Sequence, residues 1–432
     1  MEPEKHLTQA EWRQFFAGCL DRARVRTGVR HLLACCAGCT RLAAAAAAEL
    51  PGDAAARAGA AAHLGPNGAP GARGAPGAPG APGGRPRREA ANGLLRQALE
   101  RRHARQQWDL LRRLPAADRS RWVETDPGFA TVGLCERLIE ECVTACCIRP
   151  RSAGELGRLA VAVAARLSDR GYPRRLVADL RGRAQACLAD ASRVAGDLDG
   201  AWEALERCEE ELDKGTGDPL EIAILHRSTG DLLLELWRLD DACDAYALAA
   251  DIYAEVDDAD MHGQTLVQLA LTVGPREPER AIGMLEAALV EMAPHANRRA
   301  ELRALHSKTW LLNDLGRPQE AAALLAATRR LYQRLGDPPT LARLHWLEAR
   351  IAHRLGRSGD AELIMQPLWH RLRDLELPLD LCLLSFDLVE VYVAQGKTSL
   401  ALPLARQVYP VLKRYGREQH AAALRGCFGW QE

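Results

Sequence analysis

The sequence predicts an all-α fold, a solenoid in which antiparallel helix hairpins repeat along the chain. Six alanines recur at intervals of 41, 39, 40, 40 and 40 residues: Ala201, Ala242, Ala281, Ala321, Ala361 and Ala401. Around them apolar residues recur at i, i+3, i+4 and i+7, which is the spacing of an amphipathic helix. Aromatic residues make up only 5% of the chain, so Ala and Leu must fill a core of closely stacked helices. A repeat of this length is typical of solenoids, which present extended surfaces to binding partners.

Composition and charge exclude several classes of protein. Lys+Arg and Asp+Glu number 57 each in 432 residues, so the net charge indicates neither a nucleic-acid nor a membrane partner. The chain begins without a basic stretch followed by an apolar run, and Arg41 interrupts the apolar segment Leu32–Leu50, so we expect no signal peptide and no membrane span. Thirteen cysteines without a secretory signal indicate reduced thiols in the cytoplasm. The preference for Arg and Ala is typical of a GC-rich bacterial genome.

Residues 1–50 are predicted to form a small helical module. Thr8 and Glu11 have the spacing of a capping box, in which the two side chains bond the first backbone N–H groups of a helix. An apolar stripe follows, made of Trp12, Phe15, Phe16 and Cys19. A second helical stretch begins near Arg26 and runs into the Ala-rich tract that ends near Leu50.

Residues 51–88 are of low complexity and are predicted to be a disordered linker. Five successive Gly-X-Y triplets fill residues 68–82, which is too few for a collagen triple helix. The segment contains almost nothing apolar enough to offset the entropy that ordering it would cost. It is therefore expected to separate two folded parts of the chain.

Residues 89–128 are predicted to form a basic helical segment that caps the solenoid. Eleven arginines lie between Arg85 and Arg121, against only four acidic residues. Six apolar residues are expected to face inward: Leu94, Leu95, Leu99, Trp108, Leu111 and Leu114. We favour a solvated arginine face on an amphipathic helix. The alternative is an arm that binds phosphates, which would make the protein a nucleic-acid-associated transcriptional regulator.

Residues 129–425 are predicted to form the solenoid, with six clear repeats from about residue 180 and an atypical capping hairpin before them. In the repeat around Ala242, a first helix runs over Gly230–Trp237, a turn follows, and the second helix carries Tyr246. Four other repeats place a glycine five residues before the alanine: Gly196, Gly316, Gly356 and Gly396. Glycine suits that position because a helix commonly ends in left-handed backbone. Alanine suits the helix crossing because a tight hairpin leaves room only for a methyl group.

These repeats resemble the tetratricopeptide repeat. Counted from its alanine, that family has a small residue twelve places earlier, glycine five places earlier, a large apolar residue four places later and another alanine seven places later. The repeat around Ala242 matches this pattern except at the turn, where Trp237 replaces glycine, and the repeat around Ala281 departs most. The resemblance covers about two-thirds of the chain and implies a right-handed superhelical solenoid. The period of about 40 residues is similar to that of the extended variety found in bacterial regulators.

The resemblance also implies a groove lined by the first helix of each repeat, at places 18, 15, 11, 8 and 7 residues before the alanine. Carried onto this chain, those places identify twelve groove residues: Arg227, Asp231, Arg303, His306, Trp310, Asn313, Arg343, Trp346, Arg350, His353, Phe386 and Glu390. The arginines among them make the predicted groove cationic, and the aromatic rings offer flat surfaces for stacking. We therefore expect a protein or peptide partner of acidic character or with a C-terminal carboxylate. In the alternative interpretation, Trp310, Trp346 and Phe386 belong to the core between repeats.

Residues 31–39 carry the one pattern that suggests metal chemistry. Three of them are candidate zinc ligands: His31, Cys36 and Cys39. A fourth ligand is expected from one of three residues: Cys35, Cys19 or His6. The pattern is similar to the His-Cys-Cys element of bacterial zinc-binding anti-sigma domains, although there three residues, not four, separate the His from the Cys-x-x-Cys. Three interpretations stay open, namely a structural zinc site, cysteines packed as small core residues, and a redox pair.

No enzyme signature is present. The sequence has no Gly-rich phosphate loop, no nucleophile elbow and no His-Glu-x-x-His pattern. It therefore predicts a non-enzymatic scaffold or adaptor, regulatory in role, that binds a protein or peptide in the groove. Structural zinc is the one cofactor that the residues suggest.

Overall fold

The computed structural model of this chain describes residues 6–17, 20–33, 36–49, 84–168, 171–293 and 297–430. Within these ranges the backbone forms twenty α-helices and one short 3₁₀ helix, and no β-strand. The predicted all-α class is confirmed. None of these twenty helices combines the length and the apolar sequence that crossing a bilayer requires. Cys19, Cys35 and residues 50–83, which include most of the predicted linker, lie outside the described residues.

The chain divides into two compact units, of which the first contains the described residues up to Arg137 together with Ala162–Tyr172. Its elements, numbered in chain order, are α1 (Gln9–Ala17), α2 (Arg22–Leu33), α3 (Ala37–Glu49), α4 (Gly84–Leu111), α5 (Ala116–Thr125), a 3₁₀ helix (Pro127–Phe129), the first part of α6 (Val132–Ile148) and the end of α7 (Pro150–Ala165). The predicted capping box precedes α1, since the Thr8 N–H donates to the Glu11 carboxylate at 2.8 Å and the Glu11 N–H donates to the Thr8 hydroxyl at 3.3 Å.

Helices α1 to α4 share one apolar core. Its buried side chains are Leu7, Trp12, Phe15, Phe16, Leu32, Cys39, Ala43, Ala46, Leu95 and Ala98. The rings of Trp12 and Phe15 meet edge to face, with centroids 5.0 Å apart. The alanines of α3 let this helix approach α1 closely, which explains why an Ala-rich tract can form a packed helix here.

The basic segment begins earlier than predicted, because α4 starts at Gly84 rather than near residue 89. Of the six residues expected to face inward, Leu95, Trp108 and Leu111 are buried and the other three are half-buried. Arg101 donates two hydrogen bonds to the Glu136 carboxylate, at 2.6 and 2.7 Å. Further ion pairs in the segment are Arg112–Asp109 and Arg121–Asp118. Several of these arginines are therefore balanced by carboxylates of the same unit.

The second unit contains Leu138–Val161 and the described residues from Pro173 onward. Its further helices are α8 (Arg174–Val194), α9 (Leu198–Leu212), α10 (Pro219–Glu235), α11 (Leu239–Glu255), α12 (Ala259–Val273), α13 (Pro278–Met292), α14 (Arg298–Asp314), α15 (Pro318–Leu335), α16 (Pro338–Arg354), α17 (Ser358–Asp374), α18 (Pro378–Ala394), α19 (Thr398–Arg414) and α20 (Glu418–Phe428). From α8 to α19 these helices pack in six consecutive hairpins. The predicted solenoid of helix hairpins is thus confirmed.

The six repeating alanines lie where the second helix of each hairpin crosses the first. All six side chains are 0% exposed. The same close packing governs Gly230 on α10, where a Cβ atom would lie 2.7 Å from a ring carbon of Tyr246 on α11. A glycine therefore gives the aromatic ring of the facing helix the space that it needs.

The turns inside the hairpins use left-handed backbone. Gly356 has a φ of 79°, and the glycines at the equivalent turns of three other repeats adopt similar values. Trp237 takes this place in the repeat around Ala242 and has a φ of 60°. A residue with a Cβ is strained in this conformation by about 1–2 kcal/mol, so contacts of the Trp237 side chain must offset the cost.

Those contacts come from the last repeat, which packs against the first two. The guanidinium of Arg417 lies 3.7 Å over the ring of Trp237, and Arg414 donates to the Gly196 carbonyl oxygen at 3.1 Å. Tyr415 is buried among side chains of α8, α9 and α10. The solenoid of the second unit therefore closes on itself after six hairpins.

We expect Gly230→Ala to lower the free energy of unfolding by about 1–3 kcal/mol, because the added methyl group meets the buried Tyr246 ring. Gly283→Ala on the exposed side of α13 is the matched control, since no atom lies within 4 Å of its Cβ position. Helix propensity alone should make that control more stable by about 1 kcal/mol. Equal urea midpoints for the two variants would show that the α10–α11 crossing is not tight.

Candidate functional site

The first helices of the first two repeats, α8 and α10, carry a cluster of charged side chains. Arg227 pairs with Asp231 at 3.4 Å and with Asp190 at 3.9 Å. Arg193 pairs with Glu235 at 2.8 Å and lies 3.8 Å from Asp190. Two arginines thus face three carboxylates, all of them largely removed from water.

Asp231 is the best-bonded carboxylate of this cluster. The Tyr246 hydroxyl and the Gln268 amide each donate to its Oδ1 atom at 2.6 Å. Burial alone would raise the pKa of Asp231, but the charges of Arg193 and Arg227 outweigh burial and hold that pKa below its usual value. By contrast, burial raises the pKa of Asp190, which receives fewer hydrogen bonds.

A second cluster joins α14, α16 and α18 around Arg350. Its guanidinium stacks 3.8 Å from the centre of the Trp310 ring and pairs with Asp314 at 2.9 Å and with Asp387 at 3.3 Å. The Trp346 indole N–H donates to Asp387 at 2.6 Å, and the two tryptophan rings meet edge to face. The stacked cation and the two rings make a rigid platform.

His306 lies beside this platform, with its ring 6.1 Å from that of Trp310. The Nδ1 atom is 2.8 Å from the Tyr332 hydroxyl oxygen. Burial, together with the positive charges of Arg343 and Arg350, lowers the pKa of His306 to about 3. This imidazole is therefore neutral near neutral pH.

The other predicted groove residues lie outside these two clusters. Three contact neighbours of their own: Arg343 pairs with Asp380, His353 with Ser358, and the Phe386 ring with His420. Two are exposed, namely Arg303 and Glu390. Trp346 and Phe386 are buried in the apolar core of the last repeats, whereas Trp310 is half-buried against it.

The predicted groove was cationic, and the structure corrects that expectation. Arg227, Arg343 and Arg350 each pair with one or more carboxylates. The pattern counted from the repeat alanines identified the arginines but not most of their acidic partners. The clusters therefore offer a mixed surface in which charges of both signs lie side by side.

Some of these partners could have been found from the sequence. Asp190 and Arg193 lie 11 and 8 residues before Ala201, so the spacing applied to the other repeats identifies them once it is extended to the first. Two more acids lie seven residues before their alanines: Glu235 and Asp314. Asp387 lies 14 residues before Ala401, outside the family's places, so counting from the alanine does not indicate it.

Asn313 on α14 differs from its neighbours because it has no partner. Its side chain is 1% exposed, yet neither the oxygen nor the nitrogen of its amide has a hydrogen-bond partner. Leaving a buried polar group unpaired costs about 1–3 kcal/mol. One amide offers a donor and an acceptor side by side, which is the complement of a peptide backbone.

The first unit contains a second candidate site, which we call the His/Cys cluster: His6, His31, Cys36 and Cys39. One ligand atom from each of the four residues lies within 4.8 Å of all the others. Of the three candidates for a fourth ligand, His6 is thus brought to the site, while Cys35 and Cys19 lie outside the described residues. The rings of His6 and His31 are 4.7 Å apart.

Comparison with known proteins supports the fold. No family model matches the sequence, and no curated protein is similar to it in sequence. A Rap protein solved in complex with competence and sporulation factor is 14% identical, with a TM-score of 0.53 over 68% of this chain and 80% of that one. Aspartyl phosphate phosphatase F from Bacillus subtilis is 13% identical, with a TM-score of 0.50 over 94% of each chain.

At such low identity these likenesses show a shared fold and nothing finer. They support the tetratricopeptide-like solenoid that the sequence predicted. Nothing in these comparisons concerns the resemblance of residues 1–50 to anti-sigma domains, which stays a prediction.

We expect Asn313→Ala to change the free energy of unfolding by less than about 1 kcal/mol, because removing an unpaired amide offsets the packing that is lost. Asp387→Ala is the contrast, since it leaves the buried Trp346 indole without its partner and leaves Arg350 with Asp314 alone, and it should cost about 2 kcal/mol or more. Urea denaturation of both variants measures the difference. If Asn313→Ala is as damaging as Asp387→Ala, the amide has a structural role.

We expect acid to destabilise the solenoid partly through His306. Since its folded pKa is lowered to about 3 while the unfolded value is near 6.5, the folded state binds fewer protons between these values and loses stability as the pH falls below about 6.5. The loss at pH 5 should be roughly 2 kcal/mol. His306→Gln should lose correspondingly less stability between pH 7.5 and pH 5, which urea denaturation of the variant and the parent protein at the two pH values measures.

Proposed function

We propose that this protein is a non-enzymatic regulatory scaffold, and that its solenoid binds a peptide or an extended protein segment at the groove residues. The observation that carries this proposal is the unpaired amide of Asn313, buried on the first helix of a repeat. Because the amide is 1% exposed, a partner's backbone supplies the missing hydrogen bonds once binding displaces the side chains that cover it, and the stability lost in the free protein is then recovered on binding.

The surroundings of Asn313 support a peptide rather than a small apolar ligand. Trp310 and Arg350 form a flat, cationic face on which a peptide group or side chain can stack. One further Arg350 nitrogen, Nη1, is buried without a hydrogen-bond partner. Donors of this kind suit carbonyl or carboxylate oxygens of an incoming chain.

The charge of the partner follows from the ion pairs. Because three of the four groove arginines, namely Arg227, Arg343 and Arg350, are already balanced by carboxylates, a strongly acidic peptide would have to displace existing bonds. We therefore propose a partner that carries charges of both signs, instead of the acidic one expected from the sequence.

The comparisons lend this proposal indirect support. A protein of similar fold, the Rap protein, was solved in complex with competence and sporulation factor. The alternative of a nucleic-acid-associated regulator has no such support, and arginines of the basic segment are engaged by carboxylates of their own unit. We further place the protein in the cytoplasm, in keeping with the absence of disulfides among the cysteines that the structure describes.

Peptide display tests the proposal directly. We expect a random peptide library, selected against the full chain, to yield short peptides whose affinity falls at least tenfold for Asn313→Ala, about 1.4 kcal/mol. Leu363→Ser on α17, whose side chain is 73% exposed, is the control and should bind like the parent protein. Fluorescence anisotropy with labelled peptides gives the affinities. A library that yields no binders, or binders indifferent to Asn313, would contradict the proposal.

A further inference from the structure

We propose that the His/Cys cluster binds one structural zinc ion through His6, His31, Cys36 and Cys39. This inference concerns the first unit and does not depend on the proposed function of the solenoid. It rests on the distances between ligand atoms, on the chain segments that bring them together and on the chemistry of the four side chains.

Two of the six distances between ligand atoms match a tetrahedral zinc site. The His6 Nδ1 atom lies 3.5 Å from Cys36 Sγ and 3.4 Å from Cys39 Sγ. With Zn–S bonds of about 2.3 Å and Zn–N bonds of about 2.0–2.1 Å, a tetrahedron separates nitrogen from sulfur ligands by about 3.5 Å. Both measured separations therefore have the length of a tetrahedral edge.

Three chain segments supply the four ligands. His6 precedes α1, His31 lies in the last turn of α2, and Cys36 and Cys39 flank the start of α3. The Cys36 N–H donates to the His31 carbonyl oxygen at 3.0 Å, which ties Cys36 to the last turn of α2 beside His31. A zinc ion here would link the residue before α1 to the end of α2 and the start of α3. It would thereby stabilise the packing of these three helices.

The ligand set favours zinc in a structural role. Two thiolates and two imidazoles are the ligands of many tetrahedral zinc sites, and four protein ligands leave no open position for a substrate. Cys39 is completely buried against the core of α1 to α4, whereas His6 is exposed. The ion would therefore have a buried inner side and an entry path past His6.

The two other interpretations of these cysteines explain less. A cysteine packed only as a small core residue bonds to nearby backbone, as Cys142 does when its thiol donates to the Ala153 carbonyl oxygen. The thiols of Cys36 and Cys39 also face an imidazole nitrogen, which packing in a core does not require. A redox pair needs only the two cysteines, and it gives no reason for two histidines to converge on them.

Metal analysis of the full chain tests the proposal. The protein should be purified without a polyhistidine tag, under reducing conditions, from cells supplied with zinc. We expect about one zinc per chain by elemental mass spectrometry. His6→Gln and Cys36→Ser should each lower the bound zinc at least tenfold after dialysis against a chelator, while Cys427→Ser, at an exposed cysteine of α20, should retain it. Because His6 is exposed, His6→Gln tests the ligand without disturbing the core.

Cobalt substitution gives an independent readout of geometry. Cobalt(II) added to the zinc-free, reduced protein should give intense visible bands of a tetrahedral site and a sulfur-to-cobalt charge-transfer band, and both should weaken in His6→Gln. The proposal is overturned if the reduced parent protein binds no zinc and gives no such spectrum. It is equally overturned if His6→Gln keeps the zinc and the spectrum of the parent, or if Cys36 and Cys39 are joined by a disulfide in metal-free protein.

Discussion

In each of the six repeats the second helix crosses the first at an alanine that is completely buried. The positions of the other elements in the second unit depend on this contact between the two helices. A methyl group at the crossing lets the two helix backbones approach closely, while a larger side chain would push them apart. Because the crossing recurs about every 40 residues, it also fixes which positions of the first helices face their neighbours. Most residues of the two charge clusters therefore lie at fixed distances along the chain from these alanines.

Sequence reasoning succeeded where the interactions are local or periodic. The hairpins and the buried alanines follow from the repeat pattern, and the capping box follows from the local pair Thr8 and Glu11. It failed where a residue bonds across repeats, as when Trp346 donates to Asp387, 41 positions further along. Such partners become visible only when the period is used to search for complementary side chains one repeat away. The contact between Gly196 and Arg414 spans 218 positions and has no periodic signal at all.

The two candidate sites illustrate two ways in which a protein keeps polar groups together. In the solenoid, most charges around Arg350 satisfy one another, and Asn313 stands out because it does not. In the first unit, two thiols and two imidazoles place their possible ligand atoms within 4.8 Å of one another. We propose that a ligand completes each arrangement, a peptide in the solenoid and a zinc ion in the first unit.

The contact of the last repeat with the turns of the first two also bears on how this protein can evolve. Open solenoids change length readily, because recombination between similar units adds or deletes a copy and leaves every remaining interface intact. Here an extra or missing copy would carry Arg414 and Arg417 away from Gly196 and Trp237 and would leave a strained tryptophan without its cation. The copy number is therefore locked by ring closure, and descendants of this protein should diverge by substitution within six repeats rather than by gain or loss of repeats.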